Sequence, residues 1–248
     1  MELADIFKNH LKKYVEPHEL EPVKDISKTE DGFEVGTSKG KYEVKAVIFA
    51  TGATYRMLNV PGEKKFSGKG ISFCATCDGF FFKDKKVAVI GGGNAAAIEA
   101  LYLKNLGIDV HLIHRRDQLR AEKTYQEELE RKGVHIVYNT VVCCFNGDQK
   151  LESIELKDVN SEERRTEEFD GAFVSVGLVP NTELAKDLGV DLDDNGYIKV
   201  DDFQRTSVRG VYAAGDITGG ARQIVTSCAQ GAQAALASTE VLGKQYPF

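Results

Sequence analysis

Two thiols stand three residues apart in Phe73-Cys74-Ala75-Thr76-Cys77-Asp78-Gly79, with a carboxylate directly behind the second. That spacing lets one cysteine attack a partner's disulfide as a thiolate while the other resolves the mixed disulfide. Asp78 can supply the proton that a leaving thiol needs. Two other readings compete. A zinc site needs two more ligands at workable spacing. The chain offers no second CxxC and no His-x-His, and Cys143 and Cys144 are adjacent rather than spaced. Two buried free cysteines are the bland alternative. Asp78-Gly79 beside the pair reads as a turn or exposed helix end, which argues against full burial.

The second group with chemistry in it is Val87-Ala88-Val89-Ile90-Gly91-Gly92-Gly93-Asn94-Ala95-Ala96, an apolar run entering a glycine-rich turn. Gly91, Gly93 and Ala96 give GxGxxA. The first glycine permits a tight turn and the second lets a pyrophosphate approach the backbone. The third small residue lets helix and strand pack closely, and the helix N-terminus offers free N–H groups. A second strand over residues 109–114 completes the unit, which is the context the motif requires. At the end of that strand an NAD site carries an acidic residue for the ribose hydroxyls. Here stand His114, Arg115 and Arg116, with Arg120 four residues beyond. Guanidinium forks match a phosphate, so NADPH is expected rather than NADH. A solvated basic strand end is the plain alternative.

The elements that must position these groups follow from the apolar pattern. Leu3, Ile6, Phe7, His10, Leu11 and Tyr14 make an amphipathic helix over residues 3–14. Residues 20–48 read as short strands, with an antiparallel hairpin around the Gly/Ser/Lys turn at 36–41. Ala46-Val47-Ile48-Phe49-Ala50 reads as a strand buried on both faces. Thr51-Gly52-Ala53 follows, where a ligand or another backbone comes close. Residues 85–90 and 109–114 are strands, with a helix over 94–106 between them. Residues 117–132 read as helix, 134–145 and 151–156 as strands, and 162–168 as a solvated connector. Residues 171–176 form another buried strand, and 181–188 a short helix. Val211-Tyr212-Ala213-Ala214-Gly215-Asp216 is a strand ending in Gly-Asp, and 222–243 a helix rich in small residues. Strands alternating with helices predict an α/β architecture with parallel sheets.

The bulk numbers bound the class. The chain has 248 residues, 42% hydrophobic and 28% charged, an ordinary globular profile. A net charge of −6 with interleaved signs argues against a nucleic-acid partner. No apolar run approaches the ~20 residues of a membrane span. The first residues lack the basic start and apolar run of a signal peptide. Five cysteines are too few and too irregular for a secreted disulfide framework, so a cytoplasmic location is expected. The inward-facing member of Cys143/Cys144 and Cys228 read as packing residues. His10, His18, His111 and His135 show no constellation and read as structural or surface groups, so no metal site is expected.

With these residues in hand, the chain resembles the low-molecular-weight thioredoxin reductases of bacteria and archaea. The likeness runs from near residue 1 to the C-terminus. It rests on Cys74-Ala75-Thr76-Cys77-Asp78-Gly79, Ala50-Thr51-Gly52-Ala53, Gly91-Gly92-Gly93-Asn94 and His114-Arg115-Arg116. It includes Gly177 with Pro180-Asn181, Gly210-Val211-Tyr212-Ala213-Ala214-Gly215-Asp216, and Arg222-Gln223 ahead of the small-residue helix. The resemblance implies two dinucleotide-binding, Rossmann-like domains, with an NADPH domain (residues 84–178) inserted into an FAD domain (1–83 and 179–248). It implies Asp216 at the flavin ribityl chain, Gln223 near the ring, and Thr51, Gly52, Gly215, Arg222 and Asn94 among the cofactor-binding residues. Cys77 would face the flavin, Cys74 would attack thioredoxin, and Asp78 would be the proton donor. The family's members are homodimers with one FAD per subunit. The opening strand and first GxGxxG of the family pattern find no match in residues 1–45, so the FAD domain reads as truncated. Ala95 and Ala97-Ile98 stand where relatives often carry polar or acidic residues.

The expected activity is therefore thioredoxin-disulfide reduction, with electrons passing from NADPH through FAD to Cys74–Cys77. An NADPH-binding module without turnover is one alternative. A reductase of another carrier, glutaredoxin-like or peroxidase-linked, is the other.

Overall fold

The computed structural model describes residues 2–243, which fall into two compact units. One contains the residues up to Thr54 and those from Pro180 onward; the other is the stretch between, Tyr55 to Val179. In chain order the first segment holds α1 (Glu2–Leu11), β1 (Val23–Lys28), β2 (Phe33–Thr37), β3 (Lys41–Val44), β4 (Val47–Phe49) and β5 (Ala53–Tyr55). The middle stretch continues with α2 (Glu63–Phe66), β6 (Ile71–Ser72), α3 (Ala75–Asp78), β7 (Lys86–Gly91), α4 (Asn94–Asn105), β8 (Asp109–Ile113) and α5 (Lys123–Arg131). It goes on through β9 (His135–Val137), β10 (Thr140–Asn146), β11 (Ser153–Asp158), β12 (Arg164–Glu168) and β13 (Gly171–Ser175) to β14 (Leu178–Pro180). The chain then adds α6 (Glu183–Asp187), β15 (Val211–Ala213) and α7 (Ile224–Ser238).

The middle unit is built on a five-stranded sheet in the order β6-β13-β7-β8-β9, with every described pairing parallel. β7 lies at its centre, and Val87, Ala88 and Val89 are wholly buried, as a run apolar on both faces requires. Val87, Val89, Val110 and Leu112 point to one side and pack against Ala96, Ala97, Ala100 and Leu103 of α4 and Leu129 of α5. The three alanines let α4 lie close to the sheet. Ala88, Ile90 and Ile113 point to the other side. There Phe145, Ile154 and Leu156 of the antiparallel sheet β10-β11-β12 cover them. The expected connector at 162–168 is the hairpin partner β12, almost wholly exposed.

The other unit contains the antiparallel sheet β1-β2-β3 and the parallel pair β4–β15. Phe33, Phe49, Val211 and Ala213 share a core with Ala185 and Leu188. Tyr212 packs against Ala234 and Ala237 of α7 and donates its hydroxyl hydrogen to the Ala237 carbonyl at 3.3 Å.

Several expectations need correction. The 46–50 strand is not buried on both faces. Phe49 is buried, but Ile48 is 40% exposed: on its face α7 covers the neighbouring Tyr212 and Ala46 and leaves Ile48 itself partly open. The helix expected over 117–132 starts only at Lys123, and residues 114–122 form a loop whose backbone serves the glycine turn. The strand expected over 134–145 is split into β9 and β10 at Asn139, which takes φ +50°. The compact middle unit, Tyr55 to Val179, contains the expected 84–178 domain and takes in residues 55–83 as well. β6 pairs with β13, and α3 lies beside α4, so this segment adheres to the inner sheet. The apolar residues of α1, Leu3, Ile6, Phe7 and Leu11, all remain exposed.

Candidate active site

Gly91, Gly92 and Gly93 lie where β7 turns into α4, and each glycine has its own reason. A Cβ on Gly91 would come within 2.4 Å of the Ser175 carbonyl and 2.6 Å of the Ala96 Cβ. A Cβ on Gly92 would enter the His114 ring, 2.1 Å from Nδ1. A Cβ on Gly93 would meet nothing within 4 Å, so the space in front of it is open. Gly93 is also the N-cap of α4, with no side-chain cap and no acidic residue in the first turn. The first N–H groups of a helix have no intrahelical acceptor, so this end is suited to an anion.

The loop after β8 is fastened to that turn. The backbone N–H groups of Arg120 and Ala121 both donate to the Gly92 carbonyl, at 2.6 and 3.1 Å. Asn94 and Glu122 form a reciprocal pair. The Asn94 amide donates to the Glu122 carboxylate, and the Glu122 backbone N–H donates to Asn94 Oδ1, both at 2.8 Å. Asn94 thus anchors the loop. His114 is buried with Nδ1 2.8 Å from the Gly91 carbonyl, and its Nε2 has no partner among the described residues. Its ring supports the glycine turn from beneath. Arg115, Arg116 and Arg120 are exposed, and among the described residues their guanidinium groups make no hydrogen bond or ion pair. Ser175, Gly91 and the sixth helical position of α4 bring in one more group, Glu99. Burial pushes its carboxyl up to about 7, offset in part by a hydrogen bond with Ser175. Glu99 Oε2 is buried without a hydrogen-bond partner among the described residues.

Cys74 and Cys77 form a disulfide with Cα atoms 5.3 Å apart. Cys74 is the N-cap of α3 in extended backbone, and Cys77 lies within the single helical turn that follows. Cys77 is exposed and Cys74 half-buried. Ser72, on β6, organises the carboxylate behind them. Its hydroxyl donates to Asp78 Oδ2 at 2.6 Å and accepts from the Cys74 backbone N–H at 3.1 Å. The Thr76 hydroxyl lies 3.4 Å from Cys74 Sγ. Sequence reasoning missed Ser72, Thr76 and Glu122. The Ser-x-Cys spacing and a hydroxyl inside the CxxC were the available signals for the first two. Phe80 and Phe81 follow on the short 3₁₀ turn, 74% and 70% exposed.

In the other unit an open cleft of about 430 Å³ brings together Gly52, Gly215, Asp216, Arg222 and Gln223, five of the residues expected to bind cofactor. Gly215 takes φ +82°, and its N–H donates to Gln230 Oε1 at 2.9 Å. The Asp216 carboxylate is 3.5 Å from the Ser227 hydroxyl. Arg222 donates to the Tyr197 hydroxyl at 3.1 Å, and Gln223 caps α7. Thr51 does not line the cleft. It donates to the Asn181 carbonyl at 2.7 Å, and the Asn181 amide donates back to the Thr51 carbonyl at 2.8 Å, which fixes the strand end. A carboxylate and a small-residue helix suit a polyhydroxylated chain, and the volume has room for part of a dinucleotide. Cys228, read from the sequence as a packing residue, is exposed in this cleft. The reading of His111 and His135 as unrelated groups also needs correction, because paired strands stack their rings with centroids 4.8 Å apart.

Residues 3–231 match the pyridine nucleotide-disulphide oxidoreductase family. The chain is 43% identical over 224 residues to the thioredoxin reductase of Treponema pallidum, covering 90% of this chain and 72% of that protein. It is 44% identical over 206 residues to that of Coxiella burnetii, covering 79% of this chain but 64% of the relative. Among solved structures, the thioredoxin reductase of T. acidophilum superposes with a TM-score of 0.68 at 40% identity, covering 98% of this chain and 81% of that one. The enzyme from Streptococcus pyogenes gives a TM-score of 0.81 at 37% identity, covering 98% and 80%. Both the two-unit Rossmann-like fold and the sequence place the chain: it belongs to the pyridine nucleotide-disulphide oxidoreductases, among the thioredoxin reductases.

Proposed function

We propose that the chain reduces the disulfide of a thioredoxin-like protein with electrons from NADPH. The observation that carries this reading is one compact unit holding both a Cys74–Cys77 disulfide and a glycine turn flanked by three exposed arginines, unpartnered among the described residues. The open space at Gly93 and the uncapped start of α4 take the pyrophosphate, and Arg115, Arg116 and Arg120 take the 2′-phosphate. Domain 84–178 is then the NADPH domain and the flanking segments the FAD domain. Gly52, Gly215, Asp216, Arg222 and Gln223 hold the flavin nucleotide, Asp216 accepting from ribityl hydroxyls. FAD, when bound, supplies a carrier that accepts a hydride and passes an electron pair to a disulfide.

The thiol chemistry uses this chain's own groups. In the dithiol form, the Cys74 thiolate attacks one sulfur of the partner's disulfide, and the partner's other sulfur leaves as a thiol. Asp78, held by Ser72, delivers the proton. The Cys77 thiolate then attacks Cys74 Sγ, which re-forms Cys74–Cys77 and releases the second partner thiol. The net change is NADPH, H⁺ and the partner's disulfide to NADP⁺ and its dithiol. The Thr76 hydroxyl, beside Cys74 Sγ, steadies that thiolate. The partner is thioredoxin, as in the names of the relatives, and the working form is a homodimer in the cytoplasm.

The visible spectrum of the purified chain tests this. Flavin bands that bleach on adding NADPH, with NADPH consumed when an oxidised thioredoxin-like protein is supplied, are the expected result. A colourless protein that binds NADPH but consumes none, even with FAD added, overturns it for this chain.

A further inference from the structure

We infer that Asp109, His111 and His135 form a binding site for one divalent transition-metal ion of the zinc type, separate from the nucleotide turn. Asp109 and His111 are two apart on β8 and so face the same side of the sheet. His135, on the edge strand β9, is the direct register partner of His111. Three side chains thus converge from two neighbouring strands, and their ligand atoms all lie within 4.8 Å of one another.

The geometry suits a small ion. Around a tetrahedral zinc with bonds of about 2.0–2.2 Å, ligand atoms stand about 3.3–3.5 Å apart. His111 Nε2 is already 3.4 Å from Asp109 Oδ2, and His135 Nε2 is 4.0 Å from Oδ1. The remaining gap closes by side-chain rotation, since the His135 and Asp109 side chains are 65% and 50% exposed. Both imidazoles present Nε2 to one carboxylate, one on each oxygen. The edge contact of His111 with Phe169, at 5.5 Å between centroids, fixes the less exposed ring.

The nearest competing cation is drawn away. Lys86 stands opposite Asp109 on β7. Its ammonium lies 3.5 Å from Glu167 and over the Phe169 ring at 4.5 Å. Two imidazoles and a carboxylate, with a position left for water, select zinc, nickel or copper over the oxygen-seeking magnesium and calcium. Asp109 opens β8 while His114 follows its end, so the carboxylate is roughly 15 Å along the strand from the glycine turn. A metal here leaves the nucleotide site alone and ties edge strand β9 to β8.

Calorimetric titration with zinc chloride tests the site, using the disulfide form of a Cys143→Ser/Cys144→Ser/Cys228→Ser variant in a non-chelating buffer. One ion per chain is expected. Adding His135→Ala or Asp109→Asn should weaken binding at least about tenfold, with the metal-free melting temperature and the NADPH affinity unchanged. Undiminished binding in His135→Ala, or no saturable binding in the parent, overturns the site. If the triple variant does not fold, cobalt(II) added to the unmodified disulfide form gives the answer. Weak visible bands lost in His135→Ala support the site, while a strong near-ultraviolet thiolate band that persists in His135→Ala overturns it.

Discussion

Replacing Gly92 by alanine is the sharpest probe of the glycine turn. The new Cβ would stand 2.1–2.8 Å from Nδ1, Cε1 and Cγ of the His114 ring. Gly92 does not take positive φ, so the cost is steric rather than conformational. The ring cannot simply swing away. It is buried, its Nδ1 is bonded to the Gly91 carbonyl, and the backbone of His114 is tied to Val137 and Thr140. Overpacking a filled site costs about 1–3 kcal/mol. Losing the ring's hydrogen bond adds about 0.5–1.5 kcal/mol. Gly92→Ala should therefore destabilise the middle unit by about 2–4 kcal/mol in urea unfolding, and weaken NADPH because the turn and the Arg120 loop share the Gly92 carbonyl. His114→Ala removes the obstacle, so the double variant should cost clearly less than the two single changes added. A Gly92→Ala loss under about 0.5 kcal/mol, or strictly additive single changes, would refute this account of the turn.

Glu99→Gln should flatten the pH dependence of stability. The Glu99 carboxyl is raised from 4.5 to about 7 by burial, so its stabilising contribution is complete below pH 4.5 and lost as pH rises through 7. That is at most about 3.4 kcal/mol, cut to about 2 by partial contact with water. Urea unfolding at pH 4.5 and pH 8 should show the parent losing that much more than the variant, and equal losses would contradict the assignment. Arg115→Ala with Arg116→Ala should weaken NADPH by at least about tenfold, at 1–3 kcal/mol for charge-assisted hydrogen bonds, while NADH changes little. Fluorescence titrations with both nucleotides decide it, and equal losses would remove the 2′-phosphate site. Cys77→Ser should abolish turnover with a thioredoxin-like substrate while leaving nucleotide affinity intact. Disulfide reduction surviving in that variant would overturn the division of labour between the two thiols.

What the sequence revealed was what lies close together along the chain. GxGxxA, the strand before it and the arginines after it fit within one βαβ unit, so spacing alone located them. The CxxC and the 33–44 hairpin were legible for the same reason. The arrangements that were not legible depend on register or tertiary cover. His111 and His135 meet only because β8 and β9 align in one particular register. His114 reads like a phosphate ligand beside two arginines, yet its ring fills the hollow left by a missing Cβ at Gly92. Residues 117–122 carry enough polar helix formers to pass as helix, but two of the loop's N–H groups are taken by the Gly92 carbonyl instead. Ile48 looked like interior because its neighbours are apolar, and periodicity cannot say whether the second face of a strand is covered.

The bonds from Arg120 and Ala121 to Gly92, with the Asn94–Glu122 pair, mean that the arginine loop does not have to be captured by its ligand. Three positive charges are held at a fixed place on a molecule whose net charge is −6. They form a local attractive field for a polyanion inside a broadly repulsive one. At physiological ionic strength such a field reaches only about 8 Å, so added salt should slow the arrival of nucleotide far more than it speeds departure. Stopped-flow association rates would then fall steeply with potassium chloride, and sulfate or phosphate buffers would act as competitors at the loop.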